Sequence, residues 1–343
     1  MPGDVDSNSP AFWLNGQFHL LNSTGLGPLL SQGPDQFNLT PGSLSTIVRQ
    51  KPSWPTWIEA VWVDPSGPIL AWYHQEHEYI CAGRQRPALP WIGALISFDQ
   101  GRTFRDLGVV LSSGEPTDCS SKNGYFSGGH GDFTVVLDQE KEYFYFFFSA
   151  YAGSVDQQGV AVARLAFTDR FSPVNRVWKY KDGGWNEPGV GGQMTPVFQA
   201  RQRWQLEEAD SFWGPSIHWN TYLQSWVILM NRSCCQPGWP QEGIYVTFNQ
   251  NIADPAGWSE PKKILETTGW YPQVLGTGEA DTDSVAGRVA RLYVYGYSNW
   301  EVVFRKAAEP EPKPDPDPDP DPDPDPDPDP DPDPDPEPEP PTP

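Results

Sequence analysis

Asp6, Glu59 and Asp132 each stand at the entry to an apolar run that is followed by a polar turn and a second apolar run. Carboxyl groups facing one another across a bond are the equipment of glycoside hydrolysis. One is protonated and gives its proton to the leaving oxygen; the other is ionised and works as base or nucleophile. A third carboxylate nearby raises the pKa of the proton donor by like-charge repulsion. Glu242, which opens a further apolar run, is the fourth catalytic candidate. Acids at strand starts also serve simply as acceptors for backbone N–H groups. The Gly-Gly-His-Gly approach to Asp132 argues for chemistry rather than capping at that position.

Such acids meet only if their strands converge. The stretch FSGGHGDFTVVLDQEKEYFYFFFSAYAG, residues 126–153, has two runs rich in β-branched and aromatic residues about a polar turn, which reads as a buried hairpin. Asp132 enters its first strand and Ser149 and Tyr151 leave its second, so antiparallel pairing sets them at one end. The layout recurs around Asn15-Gly16, the strongest short-range hairpin signal, and around Asp64–Gly67, Asn220 and the acidic loop ending at Gly287. First strands start near residues 6, 59, 132, 213 and 271, and a second hairpin follows most of them. Repeats of this length with four strands each read as propeller blades, whose innermost strands converge on a central channel. The predicted fold is therefore all-β, a five-bladed β-propeller over residues 4–307. The last blade is short, so residues 43–48 or the segment after Ser298 are expected to complete a sheet. The turn Ser97-Phe-Asp-Gln-Gly-Arg-Thr-Phe104 looks like an Asp-box, in which Asp99 and Thr103 tie the hairpin through side-chain to backbone bonds.

Convergence also predicts which other residues share the mouth with the acids. First strands supply Asn8, His130, Trp213, Tyr271 and Gln273; second strands supply Asn22, His74, Tyr151 and Arg232. These are the expected substrate-binding residues. Trp213, Trp239 and Trp270 either stack on sugar faces or fill the core. The spacing of His74, His77 and His130 is not that of a helical zinc site, and no metal ligand set is expected. The histidines are expected to bond substrate hydroxyls or pocket carboxylates, with a structural calcium or a water cluster near His130 in the axial channel as the alternative.

Residues 309–343 are nearly pure Pro-Asp and Pro-Glu, with fifteen acidic residues against one lysine. Of the formal charge of −22, only −8 belongs to residues 1–308, and nothing there offers the basic face that nucleic acid requires. The tail, residues 308–343, reads as a stiff polyproline II spacer that holds the domain away from another module or surface. No apolar run approaches the ~20 residues of a membrane span. Four cysteines fit no zinc spacing; Cys81 and Cys119 are the natural disulfide pair, with buried thiols as the alternative, and Cys234-Cys235 is either a vicinal disulfide or two thiols. With the sequons at Asn22, Asn38 and Asn231, the spacer favours a secreted or cell-surface setting, although no signal peptide is visible at Met1.

In blade layout the chain resembles, from Asp6 to Arg305, the five-bladed furanosidase-type propellers of glycoside hydrolase family 43 and its relatives. The stretches GGHGDF, FWGPSIHWN, QEGIY and WYPQV are also similar to a further family of bacterial propellers. The family 43 resemblance implies that Asp6 is the general base and that Asp132 tunes the acid's pKa and orients it. The family's general acid belongs to a Glu-Gly-Pro in the fourth blade, where this sequence reads Trp213-Gly214-Pro215. Glu242 is then the expected replacement, narrowly ahead of Glu59, with Asp210 behind them. The alternative is a propeller without an acid that binds glycan and does not cleave it, tethered as a scaffold by the spacer. Either reading implies an oligo- or polysaccharide partner, a monomer, and no cofactor.

Overall fold

The computed structural model describes residues 1–3, 5–24, 27–49, 54–78, 80–82, 87–114 and 117–306; the acidic spacer expected at 308–343 lies outside the described residues. Five antiparallel sheets follow one another along the chain, as the hairpin repeats predict. Their innermost strands are Ala11–Leu14, Thr56–Val63, His130–Leu137, Ser211–Asn220 and Gln273–Gly276. Each hairpin turn is where the sequence puts it: Leu14 faces Gln17 across Asn15-Gly16, and Leu137 faces Phe144 across 138–143. At the second turn Asp138 accepts the N–H groups of Glu142 and Tyr143, and Lys141 takes a positive φ of 57°.

The aromatic run of the third blade explains why the blades stack. Tyr143–Ala150 is a central strand, so alternate side chains leave opposite faces of its sheet. Phe144, Phe146 and Phe148 pack with Trp72 and Ile92 of the second blade; Tyr145 and Phe147 pack with Ile217 and Trp226 of the fourth. Both faces are buried, which is why the run is apolar throughout rather than alternating.

The sheets are unequal. Thr40–Leu44 completes the first blade, and Thr46–Val48 pairs in parallel with Thr103–Leu111 at the outer edge of the second. The last blade has three strands, ending in Tyr297–Val303. Among the described residues the ring closes without a shared strand. Ser9 N–H donates to Gln273 Oε1 (2.9 Å) and Gln273 Nε2 returns a bond to Ser9 O (2.6 Å). Ala11 N–H donates to Asp283 Oδ1 (2.9 Å) and Trp13 Nε1 to Asp281 O (3.0 Å).

Burial pushes Asp283 up to about 7, against the pull of its backbone donors. A carboxyl with a raised folded-state pKa lends stability that is intact below its unfolded value, near 4, and is lost as pH rises through about 7. Asp283→Asn keeps an acceptor for Ala11 and removes the charge. Its melting temperature should exceed that of the parent at pH 8 and match it at pH 4; equal melting temperatures at both would remove Asp283 from the closure energetics.

Cys81 and Cys119 are joined, with Cα atoms 5.5 Å apart, and the adjacent Cys234 and Cys235 are bonded to each other. Of the three sequons, Asn22 and Asn231 are fully buried, and only Asn38 is exposed. In the Asp-box-like turn, Thr103 N–H donates to Asp99 Oδ1 (2.8 Å) and Gly101 N–H to Ser97 Oγ (2.9 Å). No helix among the described residues is long and apolar enough to cross a membrane.

Candidate active site

Three inner strands carry a bulge at the same point. The register slips between Ile58 and Ala60, between Gly131 and Phe133, and between Trp213 and Ser216. The residues left over are Glu59, Asp132 and the Gly214-Pro215 pair, with Asp132 at φ 41° and Gly214 at φ 58°. A bulge re-aims one side chain out of the pleat. Here it turns Glu59 and Asp132 away from the inter-blade cores.

Each bulge is held by the blade before it. Ile58 N–H donates to Ser23 Oγ (2.8 Å), Phe133 N–H to Glu59 Oε2 (3.0 Å), and Gly214 N–H to Ser149 Oγ (2.9 Å); Tyr271 N–H, opening the last blade, donates to Asn231 Oδ1 (3.0 Å). Ser23, Ser149 and Asn231, at the ends of second strands, and Glu59, on an inner strand, are thus fasteners between blades. Asn8 acts likewise at the centre, donating through Nδ2 to Phe133 O (2.8 Å) and to Pro215 O (2.9 Å).

Asp132 lines a pocket of about 470 Å³, part of it open to solvent, whose walls are almost wholly aromatic. Tyr151, Trp204, Trp213 and Tyr271 are buried in the walls, and Tyr125, Phe126, Trp239 and Trp270 reach the rim. The rings brace one another: Phe126 stacks on Tyr151 at 4.2 Å, Trp204 meets Trp239 edge-on at 4.6 Å, and Trp213 meets Tyr271 at 5.7 Å. Tyr151 donates its hydroxyl in a short bond to Asp132 Oδ2, and the Tyr271 phenol is the second donor to that carboxylate.

Burial raises the Asp132 pKa above the ordinary carboxylate range; the charge of His74 and the two phenol bonds act the other way and do not cancel it. Behind Asp132, Glu59 is buried and bonded through Oε1 to His74 Nδ1 at 3.0 Å. Burial lifts Glu59 to about 7, against the His74 bond. Burial works against protonated His74, yet its bonds to Glu59 and Glu76 raise its pKa well above the usual value. Asp6 is exposed and acts, with Asp132 and Glu59, on the Tyr271 phenol, whose pKa is raised first by burial and then by these charges.

Glu59, His74 and Asp132 each offer one ligand atom within 4.8 Å of the others. Both Glu59 oxygens and His74 Nδ1 are committed to internal partners, whereas the buried His74 Nε2 is left facing Glu76 Oε1 at 3.5 Å. His130 is fully buried and does not line the pocket. Its Nδ1–H donates to Gly129 O (2.8 Å), and its Nε2 accepts from the buried Lys179 Nζ (3.0 Å). Lys179 spends its other two protons on Ser112 O (2.9 Å) and Gly192 O (2.7 Å). Burial lowers its pKa to about 7.

Of the expected residues, Asp132, Tyr151, Trp213 and Tyr271 line one pocket. Glu59 and His74 support it from behind, and Asp6 shares its field. Asn8, Asn22 and Gln273 are buried ties at the axis and the closure, where Asn22 Nδ2 donates to Ser9 Oγ (2.9 Å). Arg232 binds Asp210 through Nε (2.9 Å) and Nη2 (3.1 Å), and Glu242 through Nη1 (2.8 Å), away from the pocket lining. Glu242 also meets Lys263 (3.0 Å) and accepts from Tyr245 (2.9 Å). Partial burial opposes ionisation of Glu242, but Lys263, Tyr245 and Arg232 together hold its pKa below the ordinary range. An ionised, ion-paired group is the opposite of a proton donor. Sequence reasoning missed Tyr125, Phe126 and Trp204, of which the Tyr-Phe pair after Asn123-Gly124 was the available signal.

No protein-family model matches the chain, and no curated protein does. Solved structures do. The endo-arabinase of Bacteroides thetaiotaomicron superposes with a TM-score of 0.54 at 13% identity, over 88% of this chain and 95% of that one. The α-L-arabinanase of Cellvibrio cellulosa gives 0.50 at 12%, over 87% and 90%. The exo-β-1,3-galactanase of Phanerochaete chrysosporium with galactose gives 0.50 at 12%, over 84% of this chain and only 56% of that one. At these identities the likeness concerns the fold: the chain has the five-bladed propeller architecture of glycan-cleaving hydrolases.

Proposed function

We propose that the protein is a glycoside hydrolase with Asp132 as general acid and Asp6 as general base. The observation that carries this is a carboxyl group of raised pKa, held by two phenols, in an aromatic-walled pocket. Aromatic faces suit the C–H faces of sugar rings, and a carboxyl protonated above its ordinary range suits a leaving alkoxide. This moves the proton donor from Glu242, which is ion-paired, to Asp132. It leaves Glu59 and His74 to fix the bulge through the Phe133 N–H. If the reaction inverts, Asp6 activates a water on the face opposite Asp132; if it retains, Asp6 attacks the anomeric carbon.

The substrate is an oligo- or polysaccharide, and the names of the similar structures suggest where to begin: α-L-linked arabino-oligosaccharides and β-1,3-linked galacto-oligosaccharides. Incubating each series with the parent protein, with Asp6→Asn and with Asp132→Asn, and resolving products by chromatography, tests the assignment. Cleavage by the parent that both substitutions suppress supports it. Binding without cleavage, or cleavage indifferent to both substitutions, overturns it.

A further inference from the structure

A second cleft shares the Tyr125, Gly238 and Trp239 wall of the Asp132 pocket and adds Lys122, Gly124, Glu207 and Pro237. The Tyr125 and Trp239 rings lie 5.7 Å apart with planes at 33°, and both residues line both spaces. We propose that this outer cleft is a subsite for a second sugar unit of an oligosaccharide whose terminal unit occupies the Asp132 pocket. The proposal rests on the glycan reading above.

The occupant follows from the lining. Two splayed aromatic faces offer dispersion contact to a ring's C–H face. The exposed Lys122 and Glu207 supply a donor and an acceptor for its hydroxyls. A cleft that adjoins a pocket along two shared rings suits a linked chain, whereas a free monosaccharide would fill one space and leave the other hydrated.

The wall is already rigid. Buried Asn123 accepts the N–H groups of Tyr125 (2.7 Å) and Phe126 (2.8 Å) through Oδ1, while its Nδ2 donates to Trp204 O (2.9 Å). Lys122 N–H donates to Gln205 O (2.8 Å), and Trp239 Nε1 reaches Leu206 O (3.4 Å). Three loops, from between the second and third blades, between the third and fourth, and within the fourth, are thus locked into one surface before any ligand arrives. Such pre-organisation cuts the ordering cost of binding.

Calorimetric titration of Asp132→Asn with the arabino- and galacto-oligosaccharides named above, one to four units long, tests this without reading hydrolysis. We expect the affinity to rise by about tenfold between one unit and two in one of the series, the worth of one well-packed contact. Adding Tyr125→Ala, or Lys122→Ala with Glu207→Ala, should reduce that two-unit to one-unit ratio to below about threefold. A ratio that survives these substitutions, no gain from the second unit, or no binding in either series would each overturn the subsite. A protein that binds the series with the expected ratio but never cleaves it would retain the subsite and lose the hydrolase reading.

Discussion

Asp132→Asn should lower the rate of hydrolysis of an unactivated oligosaccharide by roughly 10²–10⁴-fold, the range a positioned general acid supplies. The amide keeps an acceptor oxygen for Tyr151, so the pocket keeps its shape while losing the transferable proton. An aryl glycoside whose leaving phenol needs no protonation should lose far less, and that contrast separates acid catalysis from a binding defect. The pH dependence has a fixed sign. The acid works only when protonated, so turnover falls as pH rises through the raised pKa of Asp132. Tyr271→Phe removes a hydrogen bond that favours the carboxylate, which lifts that pKa further and moves the alkaline limb to higher pH. Equal losses on both leaving groups, or an alkaline limb that moves downward in Tyr271→Phe, would take the acid's role from Asp132.

The sheets were legible because both of their determinants are local. Asn15-Gly16 and Asp64–Gly67 specify turns, and the apolar runs beside them specify strands that must be covered on two faces, which in a chain of repeated hairpins leads to stacked blades. The bulges were not legible. Glu59 sits in an ordinary strand context and the glycines before Asp132 do not specify a register, and what displaces both is the capture of the neighbouring N–H by a side chain from another blade. For the same reason sequence could not divide the polar residues at strand ends into walls and fasteners. Trp213 and Asn8 both head inner ribbons, yet the indole faces the pocket and the amide joins blades. Lys179, on the strand Val177–Lys181, is fully buried against His130, a placement that no feature of the sequence analysis marked.

Asn8→Ala separates the two kinds of strand-end residue. If Asn8 binds substrate, truncation weakens binding and leaves the fold alone. The geometry requires the reverse, because Nδ2 serves the carbonyls of Phe133 and Pro215 in two different blades, and both lose their donor. A buried polar group left unpaired costs on the order of 1–3 kcal/mol. Two of them amount to roughly 2–6 kcal/mol of a total that in folded domains is about 5–15 kcal/mol. The melting temperature should fall by roughly 5–15 °C, a large effect for one truncated side chain. Activity should fall with it through kcat more than through KM, since Phe133 follows Asp132 in the bulge and Pro215 follows Gly214 in the next one, so loosening either carbonyl lets the carboxyl group drift from its line of attack. An unchanged melting temperature with a raised KM would place Asn8 in the pocket and remove the axial fastening from this account.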